Sequence, residues 1–278
     1  MNNYSSLPGA IGVFDSGYGG LTVLKSIQKA LPLYDYIYLG DNARAPYGPR
    51  SFDLVYRFTL EAVKELFSRG CHLVILACNT ASAKALRSIQ QNDLPSLDPS
   101  RRVLGVIRPT VEYIGSVTKT GSIGLVGTPG TVKSESYDME IHKLHPSFRL
   151  SSQACPMWVP LVEYKESSSP GADYFVDKDI KALMAKDSDI DTIILGCTHY
   201  PILIEKIKKY TPEHVTIVPQ GDIVAQSLVN YLHRHPEMEQ MCSKGHSCTY
   251  LTTENADKFT DLASSFLDTP VQAQSIKL

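Results

Sequence analysis

The chain has 278 residues, with 27 basic against 29 acidic side chains, a formal net charge of −2 and a pI of about 6.4. That length can bury a sizeable core in one large or two smaller domains, two being favoured, and near neutrality excludes the basic footprint of a nucleic-acid binder. No apolar run reaches a membrane span, and Met1 to Pro8 reads as short and polar rather than as a signal peptide, so a cytoplasmic protein is expected.

Strand-like runs at Ile11–Phe14, Tyr36–Leu39, Leu73–Leu76 and Val103–Ile107 alternate with helical patterns near Gly20–Ala30, Phe52–Arg69 and Ser82–Gln91. Such βαβ alternation predicts a mainly parallel sheet with helices on both faces. A second series follows, with strands near Ser122–Val126, Phe148–Gln153 and Thr192–Leu195 and helices near Pro109–Val117, Glu135–Leu144, Asp177–Lys186 and Pro201–Tyr210. Val215–Val218 is a further strand, Gln220-Gly221-Asp222 opens a helix to about Leu232, and Cys248–Thr253 and Ala256–Leu267 read as a late strand and a terminal helix. A separate unit that small is marginal alone, so the chain is expected to return and complete the first domain. The fold class is therefore α/β: two pseudo-symmetric doubly wound domains, 10–106 plus 219–278 and 107–218, with the active site in the cleft between them. The stretches around Ser167–Gly171 and Pro95 to Pro99 read as surface loops.

Two of the strands are near copies. Leu73-Val74-Ile75-Leu76-Ala77-Cys78-Asn79-Thr80 matches Thr192-Ile193-Ile194-Leu195-Gly196-Cys197-Thr198-His199, and a weaker echo relates Ile11–Gly17 to Ile123–Pro129. Each cysteine falls at the carboxyl end of a strand, the edge where open α/β sheets bind ligands. Two thiols delivered in equivalent positions by two halves of one chain can face one small molecule from opposite sides. Inverting a carbon without a cofactor requires that arrangement, because one group must remove a proton and another return it on the other face. The competing reading, two small hydrophobes at strand ends, is weakened by the matched polar residues that follow.

A thiol is mostly protonated at neutral pH, so a helix N-terminus and nearby polar groups must tune it. Both cysteines precede helices: Thr80 or Ser82 is a candidate cap for the first and Thr198 or His199 for the second, with Pro201 suited to an opening turn. No distinctive Schiff-base lysine or phosphate cradle supports pyridoxal phosphate, and Asp15–Gly20 lacks Walker and Gly-x-Gly-x-x-Gly spacing. No cofactor is expected. The other cysteines, at 71, 155, 242 and 248, show no Cys-x-x-Cys pair, which disfavours a thiol–disulfide oxidoreductase. Cys242, His246 and Cys248 offer only three metal ligands and are better read as a polar turn, so no metal site is expected.

Phe14-Asp15-Ser16-Gly17-Tyr18-Gly19-Gly20, Gly40-Asp41 through Pro46-Tyr47-Gly48, Ala77–Ala81 and Gly196–Pro201 together resemble the motif set of the glutamate racemases, within the aspartate/glutamate racemase family. The resemblance runs from about Ala10 to Leu232, and implies a cofactor-independent enzyme that supplies D-glutamate for peptidoglycan. It assigns Cys78 to D-glutamate and Cys197 to L-glutamate. Asp15 would assist the first thiol and His199 the second, with Glu163 tuning that histidine. Asp15, Ser16, Pro46, Tyr47, Gly48, Asn79, Thr80, Thr198 and His199 fall at substrate-binding positions, and Thr128 and Thr131 add hydroxyls. A homodimer is left open. The chain departs from that pattern at Arg108-Pro109-Thr110, where the family suggests glycine or alanine.

Duller roles compete. Asp15 is also a suitable helix cap, His199 a suitable core histidine, Glu163 a suitable solvated glutamate, and Asp41 with Arg44 a suitable ion pair shaping the Pro46–Gly48 turn. At the level of function, the alternatives are racemisation of aspartate or another acidic amino acid, and an amino-acid-binding regulator without catalysis.

Overall fold

The computed structural model describes residues 7–267 and 269–278. Residues 1–6, most of the segment read above as polar and leaderless, lie outside the described residues.

Among the described residues, ten strands form two sheets. They are β1 (Ile11–Asp15), β2 (Tyr36–Gly40), β3 (Leu73–Leu76), β4 (Arg102–Gly105), β5 (Ser122–Gly127), β6 (Arg149–Ala154), β7 (Thr192–Gly196), β8 (Thr216–Val218), β9 (Cys248–Thr252) and β10 (Ala273–Ser275). The first sheet has the order β10-β9-β2-β1-β3-β4 and the second β6-β5-β7-β8. Every pairing is parallel. The shared core order β2-β1-β3-β4 and β6-β5-β7-β8 makes β1 the counterpart of β5 and β3 that of β7, the pairs that the sequence echoes relate. β9 pairs with β2, so the C-terminal segment does return to the first sheet.

The strands are short and apolar because parallel strands are covered on both faces. On one face of the first sheet, Val13, Tyr38 and Ile75 pack against Leu24 and Ile27 of helix Leu21–Ala30, Leu228 of helix Gly221–Arg234 and Phe259 of helix Ala256–Leu267. On the other, Phe14, Val74 and Leu76 meet Val55, Val63 and Leu66 of helix Phe52–Ser68. The second sheet is covered likewise, by Val176 and Ile180 on one face and by Val111, Ile114 and Ile141 on the other. Each fully buried large aliphatic side chain contributes roughly 1.5–3 kcal/mol, so these layers hold the strand ends rigidly.

Several boundaries differ from the sequence reading. β4 stops at Gly105, and Ile107 opens helix Ile107–Ile114 instead of ending the strand. The helix expected from Asp177 begins at Pro170, because Ser169 caps it by accepting from the Ala172 N–H at 3.3 Å, and proline suits a first turn that needs no donor there. The loop expected around Pro95 is instead a π-helical turn, Ile89–Asp93, running into the short helix Leu94–Leu97, with Pro95 again in a first turn. Helix Trp158–Glu163, the 3-10 turn Asn42–Arg44 and β10 were not anticipated.

Candidate active site

The sites follow from topology. In a sheet of this order the connections on either side of the central strand leave in opposite directions, opening a crevice at its carboxyl end. Asp15 ends β1 and Cys78 follows β3; Thr128 follows β5 and Cys197 follows β7. These two crevices face each other across one cavity of about 200 Å³, whose wall includes Ser16, Pro46, Tyr47, Gly48, Cys78, Asn79 and Thr80 from the first half and Thr128, Glu163, Cys197, Thr198 and His199 from the second. Asp15 and Thr131 stand just behind that wall. A larger groove of about 640 Å³, on the far side of the Cys78 helix, is lined by Lys84, Arg87 and Arg108 among others and holds neither strand-end thiol, whereas the smaller cavity is lined by both.

On the second-half wall, Cys197 Sγ lies 3.8 Å from His199 Nδ1, and His199 Nε2 lies 3.1 Å from Glu163 Oε1. Burial works against an imidazolium here, but the Cys197 sulfur and the Glu163 carboxylate outweigh it and carry the His199 pKa up to about 10. Helix Trp158–Glu163 delivers Glu163 to this position. Gly19 is required beside the pair: a Cβ there would lie 2.3 Å from Thr198 Oγ1 and 2.5 Å from His199 Nδ1. No side chain caps the turn after His199, contrary to the expectation for Thr198 or His199, though Pro201 does sit in the first turn of Tyr200–Leu203.

On the first-half wall, neither Thr80 nor Ser82 caps the helix after Cys78. The sulfur of Cys78 does so itself, accepting from the Ala81 N–H at 3.4 Å while the thiol donates to Ser16 Oγ at 3.4 Å. Thr80 instead meets Thr128 at 3.0 Å and Thr131 at 3.3 Å across the cleft, and Ser82 donates to the Leu76 carbonyl. Burial, with the Asp15 charge second, pushes the Cys78 thiol up to about 12. Asp15 is fully buried, and burial raises its pKa against the pull of His199 and of the hydrogen bonds it accepts from Gly17 N–H at 2.9 Å and Thr198 Oγ1 at 3.3 Å. The alternative roles of Asp41 and Arg44 are realised: Arg44 Nε donates to Asp41 at 2.7 Å, and Asp41 also accepts from the Tyr47 hydroxyl, holding Tyr47 and Gly48 at the mouth.

Asn79 lies on the wall but within a buried network that no sequence motif signalled, with Tyr137 and Gln220. Cys155 also lines the cavity; burial, reinforced by Asp179, raises its pKa well above the ordinary thiol value. Among the described residues no group of three or more His, Cys, Asp or Glu side chains is placed to hold a metal; Cys242 donates to the Met238 carbonyl at 3.3 Å. No helix among them is long and apolar enough to cross a membrane.

Two sheets of matched topology closing on a cavity with one thiol from each define a two-domain α/β isomerase. A model of the family described as Asp/Glu/Hydantoin racemase matches residues 11–228, and the chain belongs to that family. It is 39% identical over 268 residues to the glutamate racemase of Ruegeria sp. (strain TM1040), covering 93% of this chain and 96% of that one. Its fold is similar to that of glutamate racemase isoform RacE1 from Bacillus anthracis, with a TM-score of 0.88, 35% identity and coverage of 97% and 98% of the two chains. A glutamate racemase from Francisella tularensis solved in complex with D-glutamate gives 0.85 and 30%, covering 97% of each chain.

Proposed function

We propose that the protein interconverts L- and D-glutamate, with Cys78 and Cys197 as the two bases. The observation that carries this reading is the delivery of one thiol from each half to a single small cavity. In the L-to-D direction the Cys197 sulfur, its own proton passed to His199, takes the Cα proton: an S–H bond forms, the Cα–H bond breaks and the electron pair spreads into the α-carboxylate. Cys78, held as a thiol by its raised pKa, gives its proton to the opposite face. In the reverse direction Asp15 serves Cys78 as base, its raised pKa bringing it nearer to useful basicity.

The substrate is a dianion at the carboxylates, yet the described lining includes no lysine or arginine. Neutral donors therefore bind it: the hydroxyls of Ser16, Thr80 and Thr128, the Asn79 amide, and backbone N–H groups where the chain turns into helix after each thiol, Thr198 included. In a closed, water-poor site such donors are strong, and they leave the cationic charge to His199, beside the thiol it serves. The units 10–106 plus 219–278 and 107–218 are read as the two bodies that close on glutamate. The wider reading is a cytoplasmic enzyme, working without a cofactor as a monomer or homodimer, that supplies D-glutamate for peptidoglycan.

The test is proton NMR of the purified protein with L-glutamate in deuterated water and no added cofactor. Loss of the α-proton signal together with decay of the circular dichroism of the amino acid is expected. Persistence of both signals leaves a binding protein, and faster loss with aspartate moves the substrate to the shorter acid.

A further inference from the structure

Asn79, Gln220 and Tyr137 form a closed ring of hydrogen bonds running in one direction. Asn79 Nδ2 donates to Gln220 Oε1 at 2.6 Å, Gln220 Nε2 donates to the Tyr137 hydroxyl at 2.7 Å, and that hydroxyl donates to Asn79 Oδ1 at 2.6 Å. The ring is buried and lies where the chain passes between the sheets twice, after β4 and after β8. Its sense is set from outside. The Thr110 hydroxyl spends its proton on the Val106 carbonyl at 2.8 Å, so its oxygen must accept, and Gln220 Nε2 meets it at 2.8 Å.

The rest follows by elimination. With its nitrogen facing Thr110 and Tyr137, Gln220 must turn its oxygen to Asn79. Asn79 must then turn its nitrogen to Gln220 and its oxygen to Tyr137. Flipping Asn79 alone would set two carbonyl oxygens against each other at hydrogen-bond distance, and flipping Gln220 as well would break the contact with Thr110. One N–H of Asn79 has no partner among the described residues, and Asn79 is part of the cavity wall.

Resting on the proposed function, we infer that Tyr137 and Gln220 are positioning residues that hold Asn79 as a hydrogen-bond donor toward a substrate carboxylate. An amide free to turn would present its oxygen to the same anion about as readily and repel it. Because the anchor is a backbone carbonyl at the crossing between the sheets, the donor is set in place only when the two halves sit as they do here.

The experiment pairs Tyr137→Phe, which deletes one hydroxyl and keeps the ring volume, with Asn79→Ala and the double variant, with KM and kcat measured for both enantiomers and Kd by calorimetry. A hydrogen bond to a charged group lost through misorientation should raise KM and Kd about tenfold or more for both enantiomers, with kcat changed by less than about threefold. The double variant should bind no more weakly than Asn79→Ala alone, since Tyr137 acts through Asn79. Unchanged affinity in Tyr137→Phe, or additive losses in the double variant, would overturn the inference. Gln220→Glu, which keeps volume but draws the Tyr137 hydroxyl away from Asn79, should show the same affinity loss and decides the matter should Tyr137→Phe not fold. If the unsubstituted protein binds glutamate without racemising it, the proposed function fails while the calorimetric comparison still decides the role of the ring; if it does not bind glutamate, both fail.

Discussion

Replacing Glu163 with glutamine tests the electrostatics of the second-half wall with little change of shape. The His199–Glu163 contact is 3.1 Å, and the glutamate side chain retains 25% exposure. A hydrogen bond involving a charged group contributes about 1.5–3 kcal/mol, and partial exposure places this one at the lower end. At about 1.4 kcal/mol per pKa unit, His199 should fall by about one unit from its value near 10. The charged imidazolium is the favoured form, so its population declines as pH rises, and the variant must lose it at lower pH. The assay is kcat/KM for D-glutamate, the direction in which the Cys197–His199 pair must supply the proton, from pH 7 to 11 in both proteins, so that titration of the substrate amine is common to each profile. The alkaline limb should move toward acid by about one unit. The same linkage applies to folding: stability from the His199 charge is complete below the unfolded pKa of about 6.5, is lost as pH rises through about 10, and should be lost about one unit earlier in Glu163→Gln. An alkaline limb that stays in place, or moves upward, would refute the assignment of Glu163 as the group that holds the proton on His199.

Cys78→Ala and Cys197→Ala should each abolish racemisation, leaving at most exchange of the α-proton of L-glutamate in the first and of D-glutamate in the second, as read by proton NMR; near-normal racemisation in either variant defeats the two-base mechanism, and the opposite exchange pattern reverses the assignment. Asp15→Asn should lower turnover by about a hundredfold or more through loss of a base, yet speed alkylation of Cys78 by iodoacetamide at pH 8, because removing the nearby negative charge eases thiolate formation; unchanged alkylation would show that the carboxylate does not act on that sulfur. Gly19→Ala should lower kcat by about a hundredfold, since its Cβ must displace Thr198 and His199, and displacements near 1 Å have effects of that size; a variant with normal kcat would show that the pair tolerates the shift.

The parallel α/β architecture was legible because buried strands need short apolar runs and their helices need a longer period, and neither requirement depends on distant residues. The repeated strand-cysteine-polar pattern likewise marked Cys78 and Cys197 without coordinates, since the strand end and the residue after it are local features. Asp41 and Arg44 could be read as a pair because they sit three residues apart. Other features depend on contacts far apart in sequence. Glu163 was named through resemblance alone; its place beside His199, 36 residues away, depends on how helix Trp158–Glu163 packs. Thr80 and Ser82 looked like caps until the tertiary structure drew one hydroxyl across the cleft and the other to a strand carbonyl, leaving the sulfur as acceptor. Tyr137 and Gln220 carry no motif, because a hydrogen-bond ring is a property of three side chains brought from residues 79, 137 and 220. By itself the sequence determined which strand ends bear the two thiols and which polar residues follow them. Which groups face one another, and so which proton each can hold, was decided only by the packing of the two sheets, because burial and distance are what shift a pKa or orient an amide.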